Sequence, residues 1–207
     1  MAARHMSMLR SFTPADLLTI GNATCGTLAI FFCLEALATQ NPACLWVAMA
    51  FLPVALVFDV LDGYVARLDR SRQSRLGADL DSLADVISFG VAPAALGYSI
   101  GLRGGRDILI LTYFVVCGVS RLARFNATAA TLTDESTGKV KYFEGTPIPT
   151  SVVIVAVLAV ALWLGRTDGD MWFGAIRIGP GWFHPFSLLY AASGSAMISA
   201  TLRIPKP

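Results

Sequence analysis

The sequence predicts an all-α integral membrane protein with six transmembrane helices and a polar cavity that faces the cytoplasm. Composition is the first indication: 55% of the 207 residues are hydrophobic and 14% are charged, whereas soluble domains carry about 25% charged residues. The second is a succession of six long apolar segments, and the third is the uneven distribution of Lys and Arg between them. The length suits one transmembrane domain over residues 1–207.

Each apolar segment is close to the length that crosses a membrane, since about 17–25 helical residues span the hydrocarbon core. The first could also be the apolar part of a signal peptide. However, residues 17–34 are uncharged, a long run for such a peptide, and Glu35 crowds the small residues that would form a cleavage site. We therefore expect a retained helix, preceded by a short interfacial segment over residues 7–16. The predicted helices cover residues 17–38, 44–67, 76–102, 108–129, 149–165 and 185–202.

Lys and Arg are concentrated on one side of this arrangement. Twelve of the 16 lie on the side that also holds both termini, and the positive-inside rule assigns that side to the cytoplasm. The sequence thus predicts a protein of the cell membrane with both termini, and the polar loop over residues 132–146, in the cytoplasm. The outer loop over residues 166–184 carries four aromatic side chains typical of interfacial anchors: Trp172, Phe173, Trp182 and Phe183.

Other features exclude classes of function. The net charge of +2 is too small to indicate a nucleic-acid partner. None of the four cysteines forms a C-x-x-C pair, so inert buried thiols are favoured over a zinc site or a disulfide framework. His184 lies on the predicted outer side and is not expected in the functional site.

Four aspartates lie within these apolar surroundings, where a carboxylate is costly and usually functional. Asp59 and Asp62 are three residues apart, and Asp81 and Asp85 are four apart, so each pair shares one face of a helix. Two helices can therefore direct four carboxylates into one space. Such charges need divalent cations, and oxygen ligands suit Mg²⁺, Mn²⁺ or Ca²⁺. A salt-bridged polar seam between helices is the structural alternative.

Small residues and an arginine accompany the aspartates. Gly63, Ala66 and Arg67 follow on the same side of the second helix, and Gly77 precedes Asp81 by one helical turn. Small side chains let a bulky group approach the backbone, and the planar guanidinium of Arg67 suits a phosphate. Together they indicate a site for a metal-bound diphosphate, at which two cations can assist displacement at phosphorus.

The complete pattern, D-x-x-D-G-x-x-A-R-x9-G-x-x-x-D-x-x-x-D over residues 59–85, resembles the signature of the CDP-alcohol phosphotransferase family. The resemblance implies two divalent cations, Mg²⁺ or Mn²⁺, held by Asp59, Asp62, Asp81 and Asp85. It implies that Asp85 is also the base for the incoming hydroxyl. It further implies that Gly63, Ala66, Arg67 and Gly77 contact a CDP-linked lipid such as CDP-diacylglycerol, that CMP leaves, and that the protein is a membrane-lipid enzyme and a homodimer.

Two further segments concern the acceptor alcohol. The stretch R-L-A-R-F-N at residues 121–126 and the stretch F-E-G-T-P-I-P at residues 143–149 are similar to segments of the membrane-embedded phosphatidylserine synthases in that family. Arg121 and Arg124 are three residues apart and could face the metal site, where an arginine can bind a serine carboxylate or a lipid diphosphate. Asn126 offers both a donor and an acceptor. The alternative is that these arginines hold lipid headgroups.

The expectation is therefore transfer of a phosphatidyl group from CDP-diacylglycerol to the hydroxyl of L-serine. Another acceptor, such as glycerol phosphate or an inositol phosphate, is the alternative within the family. A cation transporter that uses the four carboxylates as an ion path is the alternative from another class. Arg67 disfavours the transporter, because a cation path has no use for an arginine beside its carboxylates.

Overall fold

The computed structural model describes residues 13–68, 75–131, 142–179, 181–199 and 203–205. The predicted interfacial segment over residues 7–16 and the polar loop over residues 132–146 lie mostly outside these described residues. The described chain is mostly helical, as predicted. It also contains two short antiparallel ribbons that the sequence did not predict: β1 (Tyr142–Glu144) with β4 (Arg203–Pro205), and β2 (Ile176–Ile178) with β3 (Gly181–Phe183).

A helix occupies each of the six predicted apolar segments. The third segment is one continuous helical rod, because a π-helical turn at Val86–Val91 joins two α-helices. Short 3-10 turns, Ile148–Ser151 and Pro185–Ser187, precede the last two helices. The α-helices are α1 (Pro14–Thr39), α2 (Pro42–Leu68), α3 (Arg75–Asp85), α4 (Ala92–Ile100), α5 (Gly105–Thr131), α6 (Val152–Trp163) and α7 (Leu188–Ile198).

Four of these helical stretches are long and apolar enough to cross a membrane: Pro14–Thr39, Pro42–Leu68, Leu76–Ile100 and Gly105–Ala127. The fifth, Ile148–Trp163, is shorter, because it starts at a proline-containing turn and ends before Gly165, whose φ is +66°. The sixth is also short. Helix α7 ends at Ile198, because the backbone of the next residue, Ser199, is extended, whereas the sequence predicted a helix to residue 202.

Local sequence explains how α1 starts and ends. Thr13 caps its first turn, accepting a hydrogen bond from the Asp16 backbone amide at 3.3 Å, while the Asp16 carboxylate accepts one from the Thr13 amide at 2.7 Å. Gln40 adopts a left-handed conformation with φ 55° and ends the helix. Pro42 then opens α2 in the first helical turn. The two helices form an antiparallel pair.

Neighbouring elements pack closely against α1 at two glycines. A methyl group on Gly21 would lie 3.2 Å from the ring of Phe58 on α2, and one on Gly26 would lie 2.4 Å from the hydroxyl of Ser88 in the π turn. The Ser88 hydroxyl donates to the backbone carbonyl of Asn22 at 2.9 Å. Helix α1 is therefore held against both α2 and the π turn, which fixes its position beside the aspartates.

The second half of the fold packs α7 against α4 and α5. Tyr190 is fully buried, donates to the carbonyl of Pro93 at 2.7 Å, and makes an edge-to-face contact with Phe114 at 5.3 Å. At the start of α5, the buried carboxylate of Asp107 binds His184, with 2.6 Å between Oδ2 and Nδ1. His184 thus belongs to the end of α5 that is remote from Arg121 and Asn126.

Candidate active site

Three of the four aspartates form a compact carboxylate cluster. One carboxylate oxygen from each of Asp59, Asp62 and Asp81 lies within 4.8 Å of the other two. Helix α2 supplies two of these groups and helix α3 the third, and the short interval between the helices brings them face to face. Oxygen atoms at this separation can share one or two hard cations.

Asp85 completes the cluster from the last residue of α3. Its side chain is buried, and its carboxyl lies within hydrogen-bonding distance of the carboxyl of Asp59. The π turn begins at the next residue, and such turns inside α-helices frequently occur at functional sites. Four carboxylates in so small a volume repel one another unless cations bind to them or protons neutralise some of them.

Helix α1 contributes two buried polar residues that contact this cluster. The Thr19 hydroxyl donates to Asp62 Oδ2 at 2.8 Å, and the side-chain amide of Asn22 donates to Asp85 Oδ1 at 3.2 Å. Sequence reasoning missed both, because α1 was considered only as a membrane span. The available signal was a pair of polar residues three apart on one face of an apolar helix.

Five buried side-chain atoms among the described residues have no hydrogen-bond partner. Such atoms are rare in folded proteins, and each calls for an explanation such as a functional role, a polar ligand or an ion. Asp81 Oδ1 belongs to a carboxylate of the cluster, and hard oxygen ligands of this kind fit divalent metal ions. The full set is Asn22 Oδ1, Asp81 Oδ1, Arg121 Nε, Thr146 Oγ1 and Ser151 Oγ.

The small residues of the signature leave space beside the aspartates. A methyl group built on Gly63 would meet no atom within 4 Å, so the backbone there is accessible to a ligand. Ala66 and Gly77 are half-buried, and Arg67 is exposed at the last turn of α2. This open surface at the ends of α2 and α3 adjoins the carboxylate cluster.

The three candidate acceptor residues on α5 occupy different environments. Arg121 is half-buried, its Nε has no hydrogen-bond partner, and its guanidinium lies close enough to Asp85 for their charges to interact. Arg124 is exposed. Asn126 donates from its side-chain amide to the Ser82 hydroxyl at 3.0 Å, which links α5 to the residue after Asp81. Of the three, Arg121 is the one that combines a position near Asp85 with a buried nitrogen that has no hydrogen-bond partner.

The turn before α6 adds two hydroxyls that sequence reasoning also missed. Ile148 packs closely against Gly118 of α5: a methyl group on Gly118 would lie 2.7 Å from the Cδ1 atom of Ile148. Gly118 precedes Arg121 by less than one helical turn. The unpaired hydroxyls of Thr146 and Ser151 flank Ile148 in the chain, and Ser151 is fully buried. The only prior signal was their position in the F-E-G-T-P-I-P stretch and just after it.

Comparison with known proteins agrees with this geometry. The family model of CDP-alcohol phosphatidyltransferases matches residues 12–187. Over 205 residues, the chain is 45% identical to a CDP-diacylglycerol–serine O-phosphatidyltransferase of Saccharomyces cerevisiae, an alignment that covers 98% of this chain and 74% of the relative. It is 41% identical over 143 residues to an archaetidylserine synthase of Methanothermobacter thermautotrophicus, covering 68% of this chain and 55% of that protein.

A third relative extends the comparison to bacteria. A CDP-diacylglycerol–serine O-phosphatidyltransferase of Helicobacter pylori is 39% identical over 149 residues, covering 71% of this chain and 56% of the relative. The chain thus spans about three quarters of the yeast protein and a little over half of the other two. With the family model covering most of its length and including all four aspartates, this protein belongs to the CDP-alcohol phosphatidyltransferase family.

Proposed function

We propose that this membrane protein transfers the phosphatidyl group of CDP-diacylglycerol to the hydroxyl of L-serine, forming phosphatidylserine and CMP. The observation that carries the proposal is the identity of 45%, over nearly the whole chain, with a protein named for this reaction. The carboxylate cluster, the open backbone at Gly63 and the unpaired Nε of Arg121 supply suitable chemistry.

Metal ions complete the proposed site. Asp59, Asp62, Asp81 and Asp85 would hold two divalent cations, Mg²⁺ or Mn²⁺, which neutralise the diphosphate and make its phosphorus more electrophilic. Thr19 and Asn22 occupy one carboxylate oxygen each and so fix the rotamers of Asp62 and Asp85. The ligand positions are thereby set by α1 as well as by the two helices that carry the carboxylates.

The donor lies along the ends of α2 and α3 in this proposal. Gly63, Ala66 and Gly77 allow the CDP moiety to approach the helix backbones, and Arg67 binds a phosphate oxygen with its planar guanidinium. The phosphorus attached to diacylglycerol then faces the carboxylate cluster. CMP is the leaving group, and its departing oxygen is the one that bridges the two phosphorus atoms.

The acceptor approaches from the side of α5. Asp85 takes the proton of the serine hydroxyl as the new oxygen–phosphorus bond forms and the bond to CMP breaks. Arg121 binds the serine carboxylate, since a cation must meet that group in a cavity lined by carboxylates. Arg124 and Asn126 support this side of the site, Asn126 through its hydrogen bond with Ser82.

Membrane placement follows the charge distribution. We place the carboxylate cluster at the cytoplasmic end of α2 and α3, with both termini in the cytoplasm of a homodimeric cell-membrane protein. All six apolar segments cross the membrane in this proposal. The stretch Ile148–Trp163 has 16 residues, about 24 Å at 1.5 Å per residue, and a thinner local bilayer accommodates it.

The test is turnover of radiolabelled CDP-diacylglycerol by purified protein with a panel of alcohols and Mg²⁺ or Mn²⁺. We expect labelled phosphatidylserine and CMP in equal amounts with L-serine. Product only with glycerol phosphate or an inositol phosphate would reject serine and retain the family chemistry. Cation flux in proteoliposomes without any lipid product would reject the transferase.

A further inference from the structure

An apolar groove of about 430 Å³ runs between α1 and the helical rod formed by α3 and the π turn. It lies beside the carboxylate cluster, and the reaction described above does not use it. Its lining residues come from one face of each helix: Ile20, Ala23, Thr24, Thr27, Leu28 and Phe31 on α1, and Leu80, Leu83, Ala84 and Ile87 on the other wall.

The threonines do not make this groove polar. The hydroxyl of Thr24 donates to the carbonyl of Ile20, and that of Thr27 donates to the carbonyl of Ala23, both at 2.8 Å within α1. Each hydroxyl is therefore satisfied by its own helix. The remaining surface is aliphatic and aromatic, so it suits a hydrocarbon ligand.

The α1 wall of the groove begins at the residues that contact the aspartates. Ile20 directly follows Thr19, the hydrogen-bond partner of Asp62, and Ala23 directly follows Asn22, the partner of Asp85. The groove therefore starts beside two supporting contacts of the carboxylate cluster and continues away from them along the helix.

The opposite wall has the same relationship to the cluster. Leu80 and Ala84 directly precede Asp81 and Asp85 in the helix, so neighbouring faces of α3 carry the carboxylates and the groove. A ligand with its phosphate at the aspartates and a hydrocarbon tail can occupy both faces at once.

The α1 wall of the groove has about the length of one lipid leaflet. Residues 20 and 31 are eleven positions apart, which corresponds to about 16 Å along a helix. Half of a hydrocarbon core of about 30 Å is nearly the same distance. The groove opens sideways, because Phe31 and Leu83 are 60% and 64% exposed; a lipid can therefore enter it from the bilayer.

We propose that this groove binds one acyl chain of the phosphatidyl donor and selects for chain length. The proposal rests on the proposed function, since it places the donor's diphosphate at the carboxylate cluster. Continuity with that cluster favours a substrate chain over unspecific bilayer lipid. A concave groove between two helices also fits a single chain better than the convex helix face of a second copy.

The first test places a large side chain partway along the groove. Thr27 lies about 10 Å from Ile20 along α1, so Thr27→Phe blocks the outer part and spares the part near the aspartates. The measurement is kcat/KM with serine for dipalmitoyl and dioctanoyl CDP-diacylglycerol in mixed micelles. We expect the ratio of the dipalmitoyl to the dioctanoyl value to fall about tenfold or more. Each methylene group that the groove no longer buries weakens binding of the long chain about fourfold.

Thr112→Phe is the matched control. Thr112 is exposed on α5 outside the groove, and its hydroxyl also donates to the carbonyl four residues earlier at 2.8 Å. We expect this variant to keep the wild-type ratio. An unchanged ratio in Thr27→Phe would overturn the proposal, and an unchanged ratio with an altered monomer–dimer distribution would assign the groove to an interface between copies.

Photo-crosslinking of the wild-type protein tests the groove without a substitution. The probe is CDP-diacylglycerol with a diazirine at the end of one acyl chain, with and without excess unlabelled donor. We expect competed labelling in peptides that contain residues 24–31 or 83–87, and competed labelling confined to other helices would overturn the proposal. Serine transfer on the dioctanoyl donor is measured separately, so failure of the groove is distinguishable from failure of the proposed function.

Discussion

Asn22 on α1 donates a side-chain hydrogen bond to the carboxylate of Asp85 at 3.2 Å, across 63 residues of sequence. The adjoining backbone is fixed as well, because the Asn22 carbonyl accepts from Ser88 in the π turn. One residue of α1 therefore holds both the side chain of Asp85 and the turn that follows it. The relationship makes α1 part of the site and not merely a membrane span.

Asn22→Ala is expected to lower kcat while leaving the KM for CDP-diacylglycerol nearly unchanged. A hydrogen bond to a charged group contributes about 1.5–3 kcal/mol, so its loss should lower kcat roughly tenfold to a hundredfold. Steady-state kinetics and a thermal unfolding curve are the measurements. Asn41→Ala is the matched control, since Asn41 is exposed and its side chain accepts from the Ala43 amide at 3.0 Å, away from the aspartates. A change in KM alone would contradict the positioning role of Asn22.

Asp85→Asn is expected to retain the fold and donor binding but to lose most of the turnover. General base catalysis contributes about 10²–10⁴-fold, and loss of a metal ligand adds to this. Single-turnover assays and binding of labelled CDP-diacylglycerol separate the two effects. Asp79→Asn serves as the control, because Asp79 is an exposed aspartate on the same helix. Activity above about a tenth of wild type would assign Asp85 another role.

Sequence pattern predicted the parts of the fold that depend on local periodicity. Spacings of three and four residues placed Asp59 with Asp62 and Asp81 with Asp85, because a helix returns to the same face at those intervals. Hydrophobic segments likewise predicted where the helices are. Their lengths were less predictable, since α7 ends at Ile198 although no charged residue follows before Arg203 and no proline before Pro205.

Features that depend on contacts between distant residues were not predictable from local pattern. The π turn after Asp85 has the same apolar periodicity as an ordinary helix. Thr19 and Asn22 reach the aspartates because α1 packs closely against α2 and the π turn, an approach to which Gly21 and Gly26 contribute. Strands β1 and β4 pair although they are about 60 residues apart in the sequence, and the residues of neither strand indicate this pairing by themselves.

Metal dependence gives a prediction with a readout besides activity. We expect EDTA to abolish turnover and Mg²⁺ or Mn²⁺ to restore it, because the carboxylate cluster needs cations. Mn²⁺ should also raise the thermal unfolding temperature of the wild-type protein. At a Mn²⁺ concentration one hundred times the dissociation constant, binding adds about 2.7 kcal/mol to the free energy of unfolding. Asp81→Asn should reduce this shift, since Asp81 Oδ1 is a buried oxygen without a hydrogen-bond partner. Full turnover in metal-free buffer would refute the role of the cations.

Arg67→Ala is expected to weaken binding of CDP-diacylglycerol and of CMP more than that of serine, because its proposed partner is a phosphate. Loss of a charge-assisted hydrogen bond should lower the affinity for these two ligands roughly tenfold to a hundredfold. Arg67→Lys should recover only part of the loss, since an ammonium group cannot form the planar two-point contact. Arg166→Ala, an exposed arginine of the 166–184 loop, is the control. An effect on serine affinity alone would reject the assignment.

The acceptor assignment is tested at Arg121. Serine carries a carboxylate, and Arg121 is a half-buried arginine near Asp85 whose Nε has no hydrogen-bond partner. We expect Arg121→Ala to raise the KM for serine roughly tenfold to a hundredfold, the loss of one charge-assisted hydrogen bond. Arg124→Ala should have a smaller effect, because Arg124 is exposed on the same helix.

Ethanolamine separates recognition of the carboxylate from general damage to the site. It has the hydroxyl and the amine of serine but lacks the carboxylate, so any turnover of ethanolamine should be insensitive to Arg121→Ala. Equal losses with serine and ethanolamine would mean that Arg121 acts on the donor or on Asp85. In that case the serine carboxylate would have to be bound by other groups near the turn before α6, and the unpaired hydroxyls of Thr146 and Ser151 would be the next residues to replace.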